Sequence, residues 1–91
     1  MPNEVYAIIT RKLKFEPNDF AFLAWQTPAW DDDGYFWTAE KWFRDILTNR
    51  PQQNAWPHKF AFETKEAALN FINGYLKNEA NECEIIRVQL G

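Results

Sequence analysis

Three consecutive aspartates, Asp31-Asp32-Asp33, followed by Gly34, are the residues of this chain whose types and spacing come nearest to metal chemistry. A calcium loop of twelve residues places oxygen ligands at alternate positions and glycine at the sixth. With Gly34 at position six, Asp31 falls at three, Asp33 at five and Glu40 at twelve. The first ligand position is then Ala29, and Pro28 interrupts the helix that should lead in. A solvated acidic turn, with an Asx-type hydrogen bond from Asp31 or Asp32, accounts for the residues better. No metal and no cofactor is expected.

Nucleophilic chemistry has few residues to work with. The chain has no serine, one histidine and one cysteine. Serine hydrolysis and an intrachain Cys/His zinc site are thereby excluded. His58 stands between Pro57 and Lys59 at a loop-to-strand junction, and a pair with Cys83 would still need an orienting carboxylate. Cys83 precedes a run of Ile and Val, where a small buried apolar residue is the simpler reading. The glycines, Gly34, Gly74 and Gly91, are too dispersed for a phosphate loop. The chain is not expected to be an enzyme.

Two further groups suggest binding. Arg11, Lys12 and Lys14, near Tyr6, Phe20 and Phe22, resemble a stacking platform for single-stranded nucleic acid. A net charge of −3 has the wrong sign for that, and an edge strand guarded by cations is the alternative. Direct nucleic-acid contact is not expected. The stretch from Trp25 to Trp37 sets three tryptophans, a tyrosine and a phenylalanine around the three aspartates. Rigid aromatics give contact area at low entropic cost and tend to dominate interface energetics. Trp37 is assigned to folding, as half of a hydrophobic staple with Trp42. The partner-binding candidates are therefore Trp25, Trp30, Asp31, Asp32, Asp33, Tyr35 and Trp56, the last in the polar loop Pro51–Pro57.

The elements that must position these residues follow from hydrophobic period. Val5–Leu13 reads as a strand, with Val5, Ala7 and Ile9 alternating with Tyr6, Ile8 and Thr10. Glu16-Pro17-Asn18-Asp19 is a turn. Phe20–Gln26 is a second strand, apolar on both faces, pairing with the first as an antiparallel hairpin. Tyr35-Phe36-Trp37 makes a short third. Thr38 is expected to cap a helix whose stripe is Trp42, Phe43, Ile46 and Leu47, with Glu40–Arg44 and Lys41–Asp45 pairs outside. Lys59–Glu63 is a short strand, and Thr64 caps a second helix carrying Ala68, Phe71, Ile72, Tyr75 and Leu76. Gly74 lies either inside that helix or just past its end. The loop 78–82 leads into a last strand, Glu84–Leu90, with Ile86, Val88 and Leu90 facing in. The crossover from Lys59 to Leu90 is long enough for a parallel pair, and an antiparallel return is also open.

The order is β-β-(β)-α-β-α-β in a single α+β domain of 91 residues. The expected architecture is a two-layer sandwich, a four- to five-stranded mixed or antiparallel sheet with two helices on one face. The other face would carry Tyr6, Ile8, Leu23 and Trp25 and would need the aromatic loop, a second copy or a partner to cover it. A single cysteine, a terminus without a basic leader, and no apolar run near the roughly 20 residues that cross a bilayer point to the cytoplasm and away from membranes.

In size, acidity and poverty of motifs the chain is similar to small phage-encoded inhibitors of bacterial defence systems. The expectation is a non-enzymatic protein-binding module of this phage-inhibitor type. Its acidic-aromatic loop would occupy a basic surface of a larger host or cognate protein, one that otherwise holds nucleic acid. The alternative is a small-ligand or single-stranded nucleic-acid binder using an aromatic sheet face. Homodimerisation through that face is compatible with either.

Overall fold

The computed structural model describes residues 4–26, 34–49 and 60–89. Along them run β1 (Glu4–Thr10), β2 (Ala21–Gln26), β3 (Gly34–Thr38), α1 (Glu40–Asn49), β4 (Ala61–Phe62), α2 (Lys65–Tyr75), a 3-10 turn over Lys77–Glu82, and β5 (Cys83–Gln89). They build an α+β fold on one five-stranded sheet in which every neighbouring pair is antiparallel.

β1 is the centre of that sheet. It pairs with β5 along its whole length, from Glu4 opposite Gln89 to Thr10 opposite Cys83. A strand has only two hydrogen-bonding edges. β2 and β4 therefore share the other edge, β2 at Ile9 and Thr10, β4 at Tyr6 and Ala7. β3 lies outside β2, with Trp37 opposite Leu23 and Tyr35 opposite Trp25. β4 and β5 both run against β1, so they are parallel to each other with β1 between them. The crossover is of the parallel kind, split by the N-terminal strand.

The strand periodicity separates the faces as the sequence indicates, but the helices do not share one. Val5, Ala7 and Ile9 pack with Phe22, Ala24 and Val88 under Phe43, Ile46 and Leu47 of α1. Ile8 and Leu23 pack on the opposite face under Ala68 and Ile72 of α2, joined by Tyr6, Trp37, Phe71 and Ile85. One helix covers each face, which corrects the expected two-layer arrangement to three layers. A strand apolar on both sides must be covered on both sides, and residues 7–10 of β1 are all buried. The face left for a loop, a copy or a ligand is the one α2 occupies. The ligand-stacking and homodimer readings lose their open sheet face among the described residues.

Local signals explain the helix ends. The Phe43 N–H donates to the Ala39 carbonyl, so α1 begins one residue later than expected. Thr38 is not its cap: it ends β3, is 7% exposed, and lies opposite Phe22. The staple is absent as well, since Trp37 joins the α2 side of the sheet while Trp42, on α1, is 51% exposed. Thr64 caps α2 as expected, its Oγ1 accepting from the Ala67 N–H at 3.1 Å. Gly74 is inside α2, whose end is marked by the Leu76 N–H donating to the Ile72 carbonyl. The stretch 78–82 is helical rather than open loop. Leu90 and Lys59 lie outside the described residues.

Candidate docking surface

The aromatic surface is assembled where β3 passes α2. The register puts Tyr35 and Trp37 on the α2 side of the sheet and Phe36 and Thr38 on the α1 side. Phe71 and Tyr75 stand one helical turn apart on α2, so their side chains meet. Their rings stack at 4.8 Å with 24° between planes. Tyr35 meets Phe71 edge-on at 4.9 Å and approaches Tyr75 at 6.4 Å. Phe62 of β4 backs Phe71 at 5.5 Å. Phe71 is thus the hub, half-buried, with Tyr35 at 37% and Tyr75 at 76% exposure on its outer side. Burial, and then the nearby Tyr75 phenol, raises the Tyr35 hydroxyl above the ordinary tyrosine value. Tyr35 is a neutral aromatic at any physiological pH.

Of the sequence candidates, Tyr35 is on this surface. Trp25, in β2, lies opposite Tyr35 of β3 in the strand register. Trp30, Asp31, Asp32, Asp33 and Trp56 lie outside the described residues, as does His58. Two residues were missed. The sequence pattern sets Tyr75 among the helically spaced apolar residues of α2 and Trp42 in the apolar stripe of α1, yet both are exposed. For Trp42 a signal existed: Phe43, Ile46 and Leu47 already form an i, i+3, i+4 stripe, and a residue one position before Phe43 points elsewhere.

The remaining candidates have structural work. Arg11 donates from Nε to Glu84 at 2.6 Å, with its guanidinium 5.3 Å from the Phe20 ring centre. Lys12 pairs with Glu82 at 3.6 Å. These cations tie the end of β1 to the start of β5, and β1 is central, which corrects the edge-strand reading. All four charged groups are substantially exposed, so each pair contributes about 0–1 kcal/mol.

Glu40, at the twelfth calcium-loop position, accepts from Arg44 Nε at 2.7 Å and from Asn18 Nδ2 at 3.0 Å. Those two hydrogen bonds, Arg44 first, hold its carboxyl below the usual glutamate range. Arg44 also donates to the Gln89 carbonyl at 2.7 Å. The network joins the β1–β2 turn, α1 and the end of β5. Burial pushes the Cys83 thiol up, and the carboxylates of Glu79 and Glu82 push it further. A thiol so placed is protonated at neutral pH and a poor nucleophile.

Among the described residues no helix is long and apolar enough to cross a membrane. The sequence matches no known protein family, no curated protein and no solved structure.

Proposed function

We propose that this chain is a small, non-enzymatic protein-binding module of the cytoplasm. It acts as an inhibitor or modulator of the phage type and occupies a basic surface of a larger protein or nucleoprotein complex. The docking segment is residues 25–37. Asp31, Asp32 and Asp33 meet the partner's cations and set orientation and association rate, while Trp30 and Tyr35 lengthen residence. The observation that carries this reading is the position of Tyr35. It is partly exposed on the outermost strand, and it follows the aspartates by one glycine.

The test is a capture experiment from host lysate with the wild-type chain and with Trp30→Ala combined with Asp31→Ala, Asp32→Ala and Asp33→Ala. The retained partner is expected to be lost or weakened at least tenfold in the variant. Equal retention by both proteins sinks the proposal.

A further inference from the structure

Asparagine is a chemically labile residue, and most so before glycine, whose missing side chain leaves its backbone nitrogen open to approach and its dihedrals free. Of the asparagines in this chain only Asn73 precedes a glycine. The pair lies in the last turn of α2. Asn73, Gly74 and Tyr75 are all exposed, and a Cβ added at Gly74 meets nothing within 4 Å, so no described side chain crowds it.

The chemistry needs water alone. The Gly74 nitrogen attacks Cγ of Asn73. The new N–Cγ bond closes a cyclic imide, and the side-chain amide takes up the Gly74 amide proton and leaves as ammonia. Water then opens the ring. Cleavage of the N–Cγ bond leaves aspartate in a normal chain. Cleavage at the main-chain carbonyl leaves isoaspartate, whose backbone runs through Cβ and Cγ and is one atom longer. Nothing is oxidised or reduced.

A closed helical turn opposes the attack, because it commits the Gly74 N–H to the carbonyl four residues earlier. This turn is weakly held. Glycine costs a helix interior about 1 kcal/mol relative to alanine. No basic residue in the last turn offsets the negative end of the helix. The Leu76 N–H, donating to the Ile72 carbonyl, closes the turn, and helix ends open more readily than interiors. The stack of Tyr75 on Phe71, 4.8 Å between ring centres, depends on the four-residue spacing across Asn73-Gly74. An added backbone atom breaks that spacing.

We infer that Asn73-Gly74 is a self-modification site, exposed by opening of the last turn of α2, whose conversion to isoaspartate removes Tyr75 from its cluster with Tyr35 and Phe71. The aromatic surface then has a limited lifetime. The inference does not rest on the docking reading, and the lysate experiment decides that reading separately.

The test holds the full chain for weeks at neutral pH and physiological temperature, beside the same chain in urea, and follows each asparagine by peptide mass spectrometry. In the folded chain Asn73 is expected to convert ahead of every other asparagine, and several-fold more slowly than in urea. Gly74→Ala, which keeps the helix, should suppress conversion at least tenfold. In the isoaspartate form, separated by ion exchange, amide hydrogen exchange at residues 75 and 76 should be at least tenfold faster by NMR. No conversion of Asn73 in the folded chain while the urea sample converts, undiminished conversion in Gly74→Ala, or unchanged exchange in the isoaspartate form overturns the inference.

Discussion

Glu40 shows how a residue that looks like a ligand can be consumed by the fold. Its carboxylate serves Arg44 and Asn18, and its folded pKa is lowered. A lowered carboxylate pKa stabilises the folded state above the unfolded value, and that contribution is lost as pH falls through the folded value. With its side chain 33% exposed and Arg44's 41%, solvent screening leaves about 0.5 kcal/mol. Glu40→Gln should cost about that much at pH 7 by urea denaturation. The gap to wild type should close as the buffer is taken down through the folded pKa, and a gap independent of pH would refute the assignment. Cys83, raised by burial and two carboxylates, should react with iodoacetamide at neutral pH several-fold more slowly than a cysteine in an unstructured peptide. Mass spectrometry of timed samples reads this, and equal rates would count against a shielded thiol. At this scale the sequence identified the Glu40–Arg44 pair because i, i+4 spacing suffices for it. It misassigned Thr38 because a β-bridge to Phe22 and a helix cap compete for the same residue, and the competing strand lies elsewhere in the chain.

The helices show which properties of an element are local. Gly74 sits inside α2 without a left-handed backbone, and a Cβ added there meets nothing within 4 Å. Gly74→Ala should therefore raise stability by about 0.5–1 kcal/mol, visible as a higher melting temperature, because glycine gives up more backbone freedom on folding. A fall in melting temperature would mean that the helix ends before residue 74. Thr64→Ala removes the bond to the Ala67 N–H and should cost about 1 kcal/mol. Strand faces, the hairpin, the Thr64 cap and the core positions Phe43, Ile46 and Leu47 were legible because period and capping are written within a few residues. The side of the sheet each helix takes was not. It depends on the path of the chain between β3, β4 and β5, and an amphipathic stripe fits either face equally well.

The whole molecule is organised around β1, with a helix on each side. Ile8 and Ile9 are adjacent and both fully buried, yet they belong to different clusters, Ile8 under α2 and Ile9 under α1. In a two-layer fold with one open face, truncating one of them would be nearly neutral. Here Ile8→Ala and Ile9→Ala should each cost about 2–5 kcal/mol in urea denaturation, and a near-zero effect of either would contradict the three-layer arrangement.

The full-length pairing of β1 with β5 also fixes when the fold can form. β1 leaves the ribosome more than seventy residues before its partner from Cys83 to Gln89. Until then the middle strand has an unpaired edge, and the side that α2 will cover holds exposed Ile8 and Leu23. The β1–β5 half of the sheet therefore closes only after β5 has been made. Before that, a long-range strand pairing is still to be closed, slowly, while Ile8 and Ile9 of β1 are open to other chains or to a chaperone.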